Sequence, residues 1–202
     1  MLTDQAEFTF DKLTHTYRYN GHVIPSCTQI LKHFGLIDET KYTARGRMIG
    51  EAVHLATHYI DKGTLRWESV RQDEIAGRLR AYLRFKADTG FAPEWREKPS
   101  YYPGGLYAAT PDAGGRLPGV TEHALIEIKC GQKEAWHGMQ LAMQARTLPD
   151  RPWQRYVLYL HADGTYTLDP KTDQSDFCAV GLASVWWWKV NNGYMEAKNG
   201  HP

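Results

Sequence analysis

Cysteine is scarce in this chain: Cys27, Cys130 and Cys178 are three thiols, odd in number and far apart. That excludes a disulfide framework and suits a reducing compartment, so a cytoplasmic protein is expected. A four-cysteine iron–sulfur site cannot be assembled from this chain alone either. Long apolar runs are also missing: none approaches the roughly 20 residues that span a bilayer, so no membrane partner is expected. The segment from Met1 to Glu7 has neither the basic region nor the apolar core of a signal peptide. Charge of one sign is absent too. The formal net charge is +1, which neither announces nor excludes a nucleic-acid binder, because such proteins often carry a basic stripe on a balanced surface. Repeats, low-complexity tracts and linkers are not found.

What remains is ordinary globular chemistry. With 42% hydrophobic and 23% charged residues over 202 positions, a single domain with a full-sized core is expected. Phe8 to Tyr19 and His22 to Ile24 read as a β-hairpin about Asn20-Gly21, a strong two-residue turn signal. Pro25-Ser26 opens a short helix over 27–34, with Ser26 as N-cap and Gly35 as stop. A second helix is expected over 43–61, with Met48, Ala52, Val53, Ala56, Tyr59 and Ile60 on its apolar face. A third, over 72–87, has acids in its first turn and bases in its last, and Ile75, Leu79, Tyr82 and Leu83 toward the core. Further helices are expected over 133–148 and 173–191. Between them, 153–160 and 165–168 form a hairpin around Ala162-Asp163-Gly164, and the polar end, 193–202, frays.

The chemistry concentrates around His123-Ala-Leu-Ile-Glu-Ile-Lys129, an alternating run rich in β-formers. In a strand, residues two apart share a face. Ile126 and Ile128 then face the core, and Glu127 and Lys129 stand side by side on the other face. Upstream, Pro111-Asp112 ends another strand-like run, Leu106 to Thr110. Hairpin-like pairing of the two runs brings Asp112 beside Glu127. Two carboxylates in one place repel unless a positive group lies between them, and a hard divalent cation with oxygen ligands is the usual solution.

Pro111-Asp112, a spacer and Glu127-Ile-Lys129 resemble the PD-(D/E)XK nuclease superfamily. Glu97-Lys-Pro-Ser-Tyr-Tyr-Pro, Ala109-Thr-Pro-Asp112, Ile126-Glu-Ile-Lys-Cys-Gly131 and Gln140-Leu-Ala narrow the likeness to phage-encoded members of its RecB-like, lambda-exonuclease-like branch. His15 to Gly21, Pro25 to Leu31 and the series Gly46, Gly50, His54 extend it over most of the chain.

The resemblance implies an α/β, restriction-endonuclease-like core. It has a mixed central β-sheet flanked by helices, an N-terminal β-hairpin and a C-terminal helix, with 1–40 as hairpin and short helix, 41–192 as nuclease core and 193–202 as tail. It implies a Mg²⁺-dependent DNA exonuclease, with Mn²⁺ able to substitute, in phage or prophage recombination or DNA processing. DNA with a free end is the implied substrate. A homo-oligomer and a phage partner such as a single-strand annealing protein are the implied associates. A structure-selective endonuclease with the same site, and a catalytically silent DNA-binding or assembly protein of the same fold, are the alternatives.

By the same resemblance Asp112, Glu127 and the Ile128 carbonyl hold metal, His54 reaches the metal or the phosphate, and Lys129 stabilises the transition state or orients or deprotonates the nucleophile. Glu97 is an outer ligand, a water-orienting residue or a plain surface acid. Gln140 contacts the site or the DNA backbone. Gln144 stands where the family usually has a tyrosine, and Cys130 where it has a threonine. Glycine costs a helix about 1 kcal/mol relative to alanine, so Gly46 and Gly50 at four-residue spacing suggest close approach of another backbone or a phosphate. Arg45 and Arg47 flank Gly46 as phosphate candidates. His54 and His58 also make a zinc-like pair, but lack a glutamate after the first histidine and an obvious third ligand. The Trp186-Trp187-Trp188 run is read mainly as packing.

Overall fold

The computed structural model describes residues 7–102, 106–148 and 150–192; the tail expected at 193–202 lies outside them. The chain opens with three short strands, β1 (Phe8–Asp11), β2 (Thr16–Tyr19) and β3 (His22–Ile24), which pair antiparallel in that order. The expected single hairpin is therefore a three-stranded sheet. The extra turn arises because Asp11 Oδ1 accepts from the Leu13 and Thr14 amides, and His15 takes a positive φ. Helix α1 (Cys27–His33) follows, opened by a capping box in which Ser26 and Gln29 exchange side-chain and backbone bonds.

Helices α2 (Ala44–Asp61) and α3 (Asp73–Thr89) come next, the first capped by Thr43 and the second ended by left-handed Gly90. Their apolar faces differ from the expected ones by a few positions. Ile49, Val53 and Ala56 are buried on α2, while Met48 and Tyr59 are exposed. On α3, Leu79, Tyr82 and Phe85 are buried and Leu83 is exposed. Apolar residues on both sides of each helix let several registers look equally good in sequence, and packing selects one.

The remaining elements are β4 (Ala92–Arg96), β5 (Ser100–Tyr101), β6 (Ala108–Ala109), β7 (Ala113–Arg116), β8 (His123–Lys129), α4 (Trp136–Arg146), β9 (Trp153–Leu160) and β10 (Tyr166–Pro170). A 3-10 turn, Gln174–Phe177, then leads into α5 (Cys178–Asn191). The central sheet runs β10-β9-β8-β7-β4. It is mixed: β8 and β9 are parallel because α4 carries the chain back across the sheet, and the other pairs are antiparallel. Helices α2 and α3 cover one face, packing on Ala113, Ala124, Ile126, Ile128, Leu158 and Leu160. Helix α4 covers the other, with Leu141 against Leu125, Val157 and Tyr159. The fold is thus a mixed α/β sheet flanked by helices, preceded by the small β1–β3 sheet and ended by α5.

Helix α5 packs beside α1 and α4, where Ala179 and Ala183 are buried. Of the tryptophan run, Trp186 packs against this cluster and Trp187 donates its indole N–H to the Leu106 carbonyl at 2.7 Å, whereas Trp188 is exposed. Among the described residues no helix is long and apolar enough to cross a membrane.

Candidate active site

The strand that carries Glu127 and Lys129 is covered on both faces, with five consecutive buried residues, Ala124 to Ile128. Glu127 therefore does not face solvent; it points into the layer under α4. The strand that brings Asp112 beside it is not the expected one. The run before Asp112 contributes β6, which pairs with β5, and the strand that joins β8 is β7, which begins just after Asp112. Ala113 stands opposite Ile126, so Asp112 sits at the end of β7 beside the carboxyl end of β8. Its Oδ2 accepts from the Ile128 amide at 2.7 Å, which fixes the carboxylate against the strand.

Helix α4 supplies polar cover for the buried charges. Gln140 Nε2 donates to Glu127 Oε1 at 2.9 Å, and one turn later Gln144 Nε2 donates to Glu127 Oε2 at 2.8 Å. Lys129 Nζ bridges Glu127 Oε1 at 2.8 Å and Gln140 Oε1 at 2.9 Å, and lies 4.9 Å from the centre of the Trp136 ring. From α2, on the opposite face, His54 Nδ1 lies 3.3 Å from Asp112 Oδ1. Asp112, Glu127, Lys129, His54 and Gln140 are thus brought into one connected cluster.

Burial makes this cluster electrostatically tense. It pushes the Glu127 carboxyl above its ordinary range, and the Asp112 carboxylate adds to the push, against Lys129 and Gln144. Burial acts the same way on Asp112, but the facing His54, together with Lys129 and the Ile128 amide, outweighs it and the carboxyl ends below its ordinary range. His54 is pushed down by burial and, more strongly, up by Asp112 and Glu127, so its net shift is upward. Lys129, despite burial, is held above its ordinary value by Glu127 and Asp112.

A cleft of about 730 Å³ opens onto this cluster. Its walls include His54, Gly46, Gly50 and Arg47 of α2, Ile128 and Lys129 of β8, and Trp136 and His137 of α4. The donor set fits a hard divalent cation: two buried carboxylates, of which Asp112 raises the proton affinity of Glu127, next to the Ile128 backbone. Among the described residues no three His, Cys, Asp or Glu side chains gather into a metal-holding set. Magnesium sites commonly need no such set, because they use one or two carboxylates, waters and substrate oxygens. His58 is turned elsewhere: its Nδ1 is buried without a partner and its ring meets Tyr59.

The outlying candidates are placed less uniformly. Arg47 lines the cleft and donates to the Tyr42 carbonyl at 3.3 Å. Arg45 is exposed and ion-paired with Glu74 at 3.2 Å. Glu97 is tied to the site through its backbone, whose amide donates to the Asp112 carbonyl at 2.9 Å, while its carboxylate pairs with Lys12 at 3.3 Å. Gly50 has open space where a Cβ would stand, and no neighbour in the fold demands a glycine there.

Two contacts around the site escape sequence reasoning. Gln144 clamps Glu127, and its signal was the four-residue spacing from Gln140, which puts both amides on one helix stripe. Arg96 reaches across from β4, donating to Thr57 Oγ1 at 2.9 Å, and Thr57 in turn donates to the His54 carbonyl at 2.8 Å. Arg96 also pairs with Asp61 at 3.2 Å. No local pattern marks such a link between α2 and β4.

No protein-family model matches the chain, and no curated protein does. Among solved structures, it is similar to the alkaline exonuclease LHK-Exo from Laribacter hongkongensis, at 16% identity over 84% of this chain and 89% of that one, with a TM-score of 0.45. LHK-Exo in complex with dAMP gives the same identity and coverage and a TM-score of 0.42.

Proposed function

We propose that this chain is a Mg²⁺-dependent deoxyribonuclease that hydrolyses phosphodiester bonds from DNA ends, with Mn²⁺ able to substitute. The observation that supports this most is the buried cluster of Asp112, Glu127, Lys129 and His54 at the foot of an open cleft. Surface ion pairs do not need such burial, and burying two carboxylates and a lysine is costly unless the arrangement does something. The order Pro111-Asp112, Glu127, Lys129 matches the nuclease motif residue by residue.

In this reading Asp112, Glu127 and the Ile128 carbonyl hold the cation. The cation supplies Lewis-acid polarisation of the phosphate and activation of the attacking water. Lys129, fixed by Glu127 and Gln140, keeps its charge and offers it to the negative charge that develops on the phosphoryl oxygens. His54 stays beside Asp112 as a ring that a phosphate can share. Arg47, on the cleft wall, takes a backbone phosphate. The scissile strand enters past Gly46 and Gly50, where the helix presents no side chains.

The requirement for an end rests on the likeness of the motif set to the exonuclease branch, and what the chain offers for holding DNA adds a need for help in staying on it. Its near-neutral charge gives weak, salt-sensitive backbone binding. Closed oligomerisation around the duplex, or docking on a recombination partner, keeps such a domain on its substrate. Digestion of end-labelled linear DNA alongside covalently closed circles, each in Mg²⁺ and in EDTA, tests the proposal. Linear DNA is expected to shorten from its ends in Mg²⁺ only, with circles persisting. Rapid cutting of circles establishes an endonuclease instead, and no cutting of either overturns the nuclease reading.

A further inference from the structure

The cleft wall contains one buried polar side chain that this mechanism leaves unused. His137 lies in the first turn of α4 and is only 3% exposed, yet it lines the cleft. Its inner nitrogen is fully engaged. The Glu134 backbone N–H donates to Nδ1 at 3.4 Å, and the Tyr159 hydroxyl lies 2.8 Å from the same atom. A backbone amide can only donate, so Nδ1 is an acceptor and the ring proton sits on Nε2. Nε2–H has no acceptor among the described residues. At the helix end no side chain caps the N-terminus of α4, and the His137 amide bonds back to the Glu134 carbonyl at 3.3 Å. On the adjoining wall Gly131 has open space where a Cβ would stand and no positive φ to demand a glycine.

We infer that the N-terminal turn of α4 is a second phosphate subsite, where His137 donates Nε2–H to a non-bridging oxygen of a DNA phosphate adjacent to the scissile one. This rests on the nuclease reading, since the same cleft and strand are used. Three features point to a phosphate. A neutral N–H donor seeks an acceptor, uncapped helix N-termini favour anions, and the subsite adjoins Lys129 through Trp136, over whose ring the ammonium lies. The imidazole also remains neutral across the working range, its pKa pushed down to about 3 by burial, with Lys129 and Lys171 contributing. His137 therefore binds by hydrogen bonding and contributes no charge of its own. It is a substrate-binding residue, distinct from the cationic Arg47.

Two substitutions in the full chain separate its inner and outer nitrogens. His137→Asn keeps an acceptor for Glu134 and Tyr159 and loses the cleft donor. His137→Gln carries an amide N–H out toward the Nε2 position. Binding of a short fluorescein-labelled DNA duplex is measured in EDTA over a salt series, with melting temperatures recorded in parallel. His137→Asn is expected to melt near the wild type and bind roughly tenfold more weakly, the loss of one hydrogen bond to a charged acceptor. Its salt slope is expected to match that of the wild type, because no charge is lost, whereas Arg47→Gln lowers the slope by about one. His137→Gln is expected to recover most of the affinity.

Wild-type affinity in a folded His137→Asn protein overturns the subsite alone, as does a His137→Gln protein no better than His137→Asn. Should His137→Asn fail to fold, imidazole nitrogen NMR of the wild type decides the matter. The Nε2–H resonance is expected to move when DNA is added, and a resonance that stays put overturns the assignment. A wild type that binds no DNA overturns both the subsite and the nuclease reading.

Discussion

His54 Nδ1 stands 3.3 Å from Asp112 Oδ1, and that contact ties helix α2 to the sheet at the foot of the cleft. Its pH behaviour follows from the two shifts. Asp112 ends below its ordinary value of 3.8, so its contribution is present above 3.8 and lost as pH falls through the lowered folded value. His54 ends above its ordinary value of 6.5, so its contribution is full below 6.5 and lost as pH rises through the raised folded value. Between 3.8 and 6.5 both are present. In EDTA, the melting-temperature penalty of His54→Gln is therefore expected to be largest in that window and to shrink on the alkaline side. A penalty that is flat with pH shows that the contact is not an ion pair.

Glu127 behaves in the opposite sense. Burial first, and Asp112 second, raise its carboxyl above the ordinary 4.5, so its favourable contribution is full below 4.5 and lost as pH rises through the folded value. At neutral pH the ionised side chain works against the fold despite its bonds to Lys129, Gln140 and Gln144. Glu127→Gln is expected to melt no lower than the wild type in EDTA at neutral pH, with any gain fading as pH falls toward 4.5. Cleavage is expected to drop more than about a hundredfold, since charge stabilisation by a held cation is worth several kcal/mol. A folded Glu127→Gln protein that keeps most of its activity sinks the site.

Lys129 separates binding from chemistry. Its ammonium is bonded to the side chains of Glu127 and Gln140, so removing it leaves both carboxylates in place. Lys129→Ala is expected to bind Mn²⁺ within a few-fold of the wild type by calorimetry. Single-turnover cleavage at saturating metal is expected to slow by about 10²–10³, the range for losing one preorganised charge-stabilising group. Collapse of metal affinity with normal turnover assigns Lys129 to holding the site rather than to the transition state.

The candidate cluster was legible because Glu127 and Lys129 lie on a strand whose alternation is plain, and because His54 follows two glycines at helical spacing. Its surroundings were hidden by residues that contradict their element. Strand β7 reads Ala113-Gly-Gly-Arg116, and glycine is poor strand material. The Trp95 indole lies against Gly114, and the Ala92 carbonyl against Gly115, so side chains there would collide. Strand β4 contains Pro93 beside a bulge, another pattern that argues against a strand. With β4 and β7 invisible, the run before Asp112 was the natural partner for β8, and the layer over Glu127 could not be foreseen. Close packing between elements distant in sequence leaves no local periodicity to read.

Two helical glycines give the last prediction. Gly50 of α2 and Gly77 of α3 each cost helix propensity, but only Gly77 is forced by the fold. A Cβ on Gly77 would stand against the Ala162 carbonyl, whereas a Cβ on Gly50 would meet nothing within 4 Å. Gly77→Ala must displace backbone and is expected to destabilise by about 1–3 kcal/mol. Gly50→Ala is expected to stabilise by about 0.5–1 kcal/mol, the helix-interior difference between the two residues. Because Gly50 lines the cleft beside His54, its methyl group takes space from the entering strand, and KM is expected to rise while the melting temperature rises too. A protein improved in stability and unchanged in KM shows that the strand does not pass along this face of α2. If instead Gly50→Ala melts lower, the space beside it is needed by the fold itself.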